Sequence, residues 1–444
     1  MVSRSVLVTR TTAQSVLILG GGPAGLTAAH YLAQRGLRVT LLDRASILGG
    51  SLTDESRPFL SIPGCHHATW RLLRSLGLNS DERIFQKTNL EFHLPDGRLV
   101  RYPHAPIPGP LRILFNIGCF AGFSWSERWR LLSWLEEIWE GSLKIATDLE
   151  HRTAQEWLTS LGYSESLQQT IWNPLARWLT ENDLHVVSAG SFAASLASFF
   201  LQRSSDNRIV VPQQSPLTLL IKPISDRLAQ EDAMITLETP AAEFQFEQDR
   251  VTGVRLRDGS VLQADWYLSA VPHNHLAALL PERWLSRFAY FQQLSELTTV
   301  SRAVVRIAAQ QPLRSPRLIL LSDKLFRRIE ARSEPTESLF IVTTTEMPEQ
   351  TRNVEQRAAS LLQSLGLLHT SSVITAGRTC EIHDSFLSLA PGTKVRRPLQ
   401  KSPIANLLVA GAWTDTGWPS NLESAIVSGE RCANIISGHA RPTY

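Results

Sequence analysis

Residues 15–50, SVLILGGGPAGLTAAHYLAQRGLRVTLLDRASILGG, carry the reading on which the fold turns. Val16-Leu17-Ile18-Leu19 is a short apolar strand, and Gly20, Gly22 and Gly25 follow it directly with the spacing GxGxxG. Residues 26–34 have helical composition until Gly36 stops them. Residues 38–42 then give a second strand that ends in Asp43, and Gly49 and Gly50 come next. Each glycine of the triplet has its own duty: one allows the tight turn, one lets the backbone approach a pyrophosphate, and one lets helix and strand pack closely. Unpaired N–H groups at the helix start attract phosphate oxygens. Asp43 stands where a carboxylate accepts hydrogen bonds from an adenosine ribose. With strand, turn, helix, second strand and acid in register, the segment predicts a cradle for a dinucleotide rather than glycines that merely turn the chain.

A chain of 444 residues exceeds one typical core and predicts two or three domains, and its 43% hydrophobic content is enough to bury them. Lys and Arg total 44 against 41 acids, a formal charge of +3, which speaks against nucleic acid as a partner. Cys65, Cys119, Cys380 and Cys432 stand far apart without a CxxC pair, so neither a zinc site nor a disulfide framework is expected, and a reducing cytoplasm fits. The histidines form no HExxH or other metal-ligand spacing, and no GxSxG elbow follows a strand. The first residues, with Arg4 and Arg10, run into the cradle without the apolar core of a removable signal peptide. Residues 107–125 are the most apolar stretch, but Pro108, Pro110, Arg112 and Asn116 interrupt it, which argues against a spanning helix.

After the cradle the period becomes helical. Residues 69–77 present Trp70, Leu72, Leu73 and Leu76 on one face, and residues 126–139, 151–161 and 164–179 continue that logic with large indoles. Near Ile235 the period changes to strands. Residues 235–237, 243–246, 251–257 and 261–262, with a turn at Asp258-Gly259, read as an antiparallel ribbon. Residues 264–271 read as a buried strand, 276–291 as helix, and 302–308 and 338–344 as strands of a sheet flooring a second domain. The last module is a buried strand at 406–410, a polar turn after Gly411, and a helix over 422–436. Ser420 and Glu423 stand at the spacing of a capping box there.

Taken together, these segments resemble the flavin amine oxidase and phytoene desaturase superfamily, and within it the squalene-associated branch of hydroxysqualene dehydroxylases. The likeness rests on residues 20–25, Asp43 and Gly49-Gly50, on Ile171-Trp172-Asn173-Pro174-Leu175, and above all on residues 410–429. It implies a mixed α/β fold: a Rossmann-type FAD-binding domain of the flavin amine oxidase type, with an inserted, largely helical substrate domain floored by a mixed sheet. The FAD domain would be discontinuous, from residues 1–68, 205–271 and 398–444, and the substrate domain would take 69–204 and 272–397. FAD would be held by Gly20, Gly22, Pro23, Ala24, Gly25, Asp43, Arg44, Gly49, Gly50, Ser51, Ala241, Gly411, Trp413, Thr414 and Leu422. Ala241 would border the adenine, and a helix start near Leu422 would stabilise charge on the reduced ring.

Three positions depart from the family pattern. Ser51 replaces an arginine, Ala412 replaces an aspartate that binds the ribityl hydroxyls, and residues 56–60 (Ser-Arg-Pro-Phe-Leu) replace an Asp-Asn-Gly-Gln-His segment. A lost charge-assisted bond costs about 1.5 to 3 kcal/mol, so two such losses weaken FAD by a factor on the order of hundreds.

The resemblance implies reduction of hydroxysqualene to squalene, with carotenoid-type desaturation and a non-catalytic, lipid-binding relative as alternatives. Reductive dehydroxylation needs a hydride donor beside a carbon that becomes cationic, inside an apolar tunnel. Trp125, Trp129, Trp172 and Trp178 are candidates to face that cation, and His66 and His67 to donate a proton from a surface loop, but no catalytic residue follows from the sequence. With one nucleotide fingerprint only, electrons come from an external donor. A polyisoprenoid substrate implies peripheral contact of a cytoplasmic protein with the inner face of the membrane. Residues 107–125, with Phe115, Phe120, Phe123 and Trp125, serve either as that patch or as a tunnel wall.

Overall fold

The apolar run at the amino end becomes the middle strand of a five-stranded parallel sheet, ordered Leu407–Val409, Trp266–Ser269, Ser15–Leu19, Arg38–Leu42, Met234–Thr236. The computed structural model describes residues 13–53, 61–78, 84–103, 111–140, 147–334, 337–344 and 353–440. Residues 4 and 10, Pro108 and Pro110, and the departing segment 56–60 lie outside them. The chain thus returns to one sheet three times after leaving it, and strand alternation decides what each face meets. Val16 and Ile18 point to a core shared with Ala28, Ala29 and Leu32 of helix Pro23–Ala33 and Cys432, Ala433 and Ile436 of helix Leu422–Ala440. Leu17 and Leu19 point the other way, to a core with Phe244, Val251 and Val254. Burial on both faces explains why residues 16–19 are continuously apolar.

The two terminal helices touch closely. A Cβ on Gly429 would lie 2.3 Å from the Ala24 carbonyl oxygen, so this glycine sets their approach. Over the opposite sheet face lies a three-stranded antiparallel ribbon, Ala241–Glu247, Arg250–Leu256 and Val261–Leu262. The expected fourth member does not join it: Met234–Thr236 pairs in parallel with Arg38–Leu42 at the edge of the main sheet. The helix Lys222–Gln230 that precedes it makes the crossover a parallel strand needs, a link that residue period alone does not reveal.

A second, seven-stranded mixed sheet has the order Ile374–Leu387, Thr299–Ala309, Ser338–Thr344, Phe326–Ser333, Arg317–Leu321, Leu90–His93, Leu99–Arg101. Its pairs are antiparallel except Arg317–Leu321 with Leu90–His93. One face, with Val305, Ile307, Ile329, Phe340 and Val342, packs on helix Val354–Ser364. The other carries Arg302, Arg306 and Arg328, and turns toward the helical region and the parallel sheet. That region includes Ala154–Ser160, Asn173–Thr180 and Ala189–Leu196. The mixed α/β architecture, with a Rossmann-type sheet, a helical insertion and a mixed floor sheet, is the one expected.

Candidate functional site

The geometry of the cradle follows from missing side chains. Gly20 has φ +102, in the left-handed region, and a Cβ there would stand 2.9 Å from the Ala270 carbonyl oxygen. At Gly25 a Cβ would stand 1.9 Å from the Gly20 carbonyl oxygen, so helix and strand could not close. Gly22 differs: its Cβ would meet nothing within 4 Å, because that side opens on a cleft. Helix Pro23–Ala33 starts at this point with no side-chain cap and no acid in its first turn, which leaves its amide end for an anionic ligand. Asp43 ties the second strand to the turn, accepting from Gly21 N–H at 2.6 Å and Ala45 N–H at 2.8 Å. Gly49 N–H donates to the Gly21 carbonyl at 2.8 Å, so the second glycine pair is held against the first turn.

The cleft has a volume of about 1490 Å³, beyond the roughly 300–1,000 Å³ of a common small-molecule site. The expected cofactor residues Gly20, Gly22, Pro23, Ala24, Asp43, Arg44, Gly50, Ser51, Ala241, Gly411, Trp413 and Leu422 all line it. They come from the cradle, the ribbon and the tail, so three separated stretches of sequence converge on one space. The remaining three stand behind the wall. Gly25 packs on Gly20, Gly49 faces Ile221, and Thr414 is buried with its hydroxyl donating to the Gly411 carbonyl at 2.9 Å. An elongated dinucleotide fits this arrangement: an open glycine at a helix start, an acid at the end of the second strand, and continuous room from there to the tail.

The tail loop is organised by a residue the sequence did not single out. Arg397 is buried and donates to four carbonyls: Ala412 at 3.0 Å, Trp413 at 3.3 Å, Thr414 at 2.6 Å and Trp418 at 2.7 Å. Burial pulls its pKa down to about 10, partly opposed by Asp415. Trp413 is fixed by its indole N–H to the Val271 carbonyl at 3.1 Å. Ala412 lines the cleft, with a methyl side chain where the family pattern has a carboxylate.

Glu423 does not close a capping box with Ser420. Its carboxylate accepts from Ala68 N–H at 2.7 Å and from Thr69 N–H at 2.9 Å and hydroxyl at 2.7 Å, capping helix His67–Ser75 instead. The tail helix takes its cap from Asn421 Oδ1, which accepts from Ser424 N–H at 2.9 Å. Burial raises the pKa of Glu423, and the three bonds from helix His67–Ser75 oppose that shift. A spacing rule sees the neighbour along the chain but not a helix brought in from over 350 residues away.

Neither His66 nor His67 lines the cleft: His66 is a half-buried residue just before helix His67–Ser75. The His66 ring meets Trp418 edge-on with centroids 5.5 Å apart, and burial lowers its pKa to about 3. His67 opens a helix, with Nε2 3.0 Å from buried Asp206. The four tryptophans offered for a developing cation also lie elsewhere. Trp172 is buried among Phe123, Tyr163 and Phe192, Trp178 packs edge-on against Phe199, and Trp125 and Trp129 are 74% and 70% exposed. Two cleft residues had no local signal at all: Glu181, after helix Asn173–Thr180, and Arg328, in strand Phe326–Ser333.

Among the described residues no group of His, Cys, Asp and Glu could hold a metal ion, and no helix is long and apolar enough to cross a membrane. The chain is 25% identical to a zeta-carotene desaturase of Synechocystis over 96% of its length and 98% of the relative's. It is 26% identical to a 15-cis-phytoene desaturase of Synechococcus elongatus, with 95% of each chain covered. Among solved structures, an oxidoreductase from Methanosarcina mazei superposes with a TM-score of 0.72 at 14% identity over 94% of this chain and 99% of that one, a shared fold. The profile described as flavin containing amine oxidoreductase matches residues 23–437. With the dinucleotide cleft in place and that match spanning most of its length, the chain belongs to the flavin containing amine oxidoreductase family and is an oxidoreductase that uses FAD.

Proposed function

We propose that this FAD-dependent oxidoreductase acts on a polyisoprenoid lipid, and that its reaction is the reductive dehydroxylation of hydroxysqualene to squalene. The observation that carries the reading is one continuous cleft joining the dinucleotide cradle to an apolar wall of Leu279, Leu339, Ile341, Phe386 and Leu387. A long hydrocarbon chain leaves water readily for such a passage. In support, two relatives that span nearly the whole chain are named for desaturation of zeta-carotene and 15-cis-phytoene, both polyisoprenoids. We assign residues 1–68, 205–271 and 398–444 to FAD binding and 69–204 and 272–397 to the substrate, with the fifteen residues named above as the cofactor contacts.

FAD, when bound and reduced, supplies a hydride. The overall change also takes up a proton and releases water, as a carbon–oxygen bond gives way to a carbon–hydrogen bond. The protein's own part is positional: the cradle and tail hold the cofactor, Arg397 fixes the tail loop, and the apolar wall excludes water from the reacting carbon. Electrons come from an external donor.

A membrane-facing patch fits the same substrate. Helix Leu111–Cys119 is amphipathic in the inverted sense: Arg112 and Asn116 are buried one turn apart, while Leu114 and Phe115 are each 46% exposed. With exposed Trp125 and Trp129 on the next helix, these side chains suit the boundary of a lipid surface, and we assign the protein to the cytoplasmic side of the inner membrane as a peripheral protein. A second reading, carotenoid-type desaturation, is favoured by the names of the two relatives.

The test is the purified protein's flavin spectrum followed by incubation with hydroxysqualene and a chemical reductant. Squalene is the expected product. Conjugated double bonds gained by phytoene would establish the second reading, and a colourless protein that FAD does not reconstitute would leave only a non-catalytic lipid-binding role.

A further inference from the structure

One wall of the cleft is charged where a hydrocarbon would be expected to touch only carbon. Glu181 and Arg328 line it beside Leu339, Ile341 and Phe386. Arg328 is only 6% exposed, and two carboxylates hold it: Glu330 accepts from Nε at 2.8 Å and Glu181 accepts from Nη1 at 2.6 Å. That leaves both N–H groups of Nη2 and the second N–H of Nη1 as donors of the guanidinium. Burial works against its charge, but the two acids outweigh burial and raise its pKa. The Oε2 atom of Glu181 is shielded from solvent and has no hydrogen-bond partner. Glu181 also takes φ 57, a left-handed conformation at a helix end where glycine is the usual residue. There its carbonyl accepts from Arg302 at 2.6 Å and from Arg327 at 3.4 Å, so the backbone that carries the side chain is held in place.

We propose that Glu181 and Arg328 form a recognition site for a neutral hydroxyl group on the substrate, which donates to Glu181 Oε2 and accepts from Arg328 Nη2. That carboxylate oxygen lacks a partner in the free protein, a hydrocarbon supplies none, and an alcohol supplies the missing donor. An acidic substrate brings a second negative charge beside that oxygen, and Arg328 and Arg332 already pair with Glu181, Glu330 and Glu334. An alcohol uses both groups at once. The inference rests on the reading of the cleft as the substrate site and not on the direction of the redox reaction.

The test compares ligands of one length, a C15 isoprenoid alcohol with its aldehyde, hydrocarbon and carboxylic acid. Equilibrium binding to the flavin-loaded protein is read from flavin absorbance and tryptophan fluorescence. A site built for a hydroxyl should prefer the alcohol to the hydrocarbon by about 100-fold or more. The variant Glu181→Gln presents an N–H where the unpartnered oxygen stood, so its preference should shift from alcohol toward aldehyde by roughly tenfold or more with hydrocarbon binding unchanged. Flavin content and melting temperature confirm that the variant folds, and the wild-type ligand series tests the proposal if it does not. Equal affinity for alcohol and hydrocarbon, tightest binding of the acid, or an alcohol-to-aldehyde ratio that Glu181→Gln leaves unchanged would each overturn it. A protein that prefers the alcohol yet fails to reduce hydroxysqualene would refute the proposed reaction and leave this site standing.

Discussion

Gly22 and Gly25 belong to one motif and do opposite work. Gly25 is needed by the protein itself, since any Cβ would collide with the Gly20 carbonyl, whereas the space beyond Gly22 is empty of protein. Gly25→Val should therefore unfold or aggregate the chain. Gly22→Val should keep the melting temperature of the flavin-free protein while lowering bound FAD at least tenfold, and equal damage to fold and flavin in both variants would show that Gly22 is also a packing residue. His30 gives a residue-scale prediction of another kind. It is fully buried with Nε2 2.9 Å from Ser75 Oγ, and burial first, then Arg227, lowers its pKa from 6.5 to about 4. The unfolded chain takes up this proton near 6.5 and the folded chain only near 4, so stability is full above 6.5 and falls as the pH drops between those values. The loss reaches up to about 3 kcal/mol at the acid end. Urea unfolding at pH 7 and pH 4.5 should show a smaller acid loss in His30→Gln than in wild type.

At the scale of elements, what the sequence made legible was what local chemistry decides. The cradle was readable because turn, helix start and acid are all within 36 residues, and strand 338–344 because a run of apolar and β-branched residues allows little else. Tertiary pairing was not readable: Met234–Thr236 joined the parallel sheet, Glu423 capped a distant helix, and Leu90–His93 entered the second sheet beside a strand more than 220 residues away. The cleft-lining residues of the cradle were legible through a motif, whereas Glu181, Arg328 and Arg397 have no local signature and acquire meaning only from what surrounds them. The helices Leu111–Cys119 and Trp125–Glu140 fall between these cases, since composition marked them as apolar without saying which side faces out. Their outward Leu114, Phe115, Trp125 and Trp129 predict that Trp125→Ser/Trp129→Ser loses most of its co-sedimentation with liposomes while keeping its flavin and its melting temperature. Unchanged sedimentation would show that these side chains do not meet a lipid surface.

For the molecule as a whole, the decisive feature is that both ends of the chain build one site. Helix Pro23–Ala33 and helix Leu422–Ala440 meet at Gly429, and the cleft draws its walls from residues as far apart as Gly20 and Leu422. A ligand gripping both ends binds the folded chain and not the unfolded one, so free FAD at 100 times its dissociation constant should add about 2.7 kcal/mol of stability and raise the melting temperature. Ala412 offers a test of that grip. The residue lines the cleft while Arg397 and Ser424 hold its carbonyl at 3.0 and 3.1 Å, so the backbone should stay in place when the side chain changes. Ala412→Asp should restore a charge-assisted bond to the cofactor, worth about 1.5–3 kcal/mol or roughly 10- to 150-fold in FAD affinity. The gain should also widen the difference in melting temperature between FAD-loaded and FAD-free protein. Titration of the flavin-free protein with FAD reads both effects in one sample. An affinity that stays level with wild type would mean that the cofactor does not pass Ala412, and the tail would then lose its assigned place in the site.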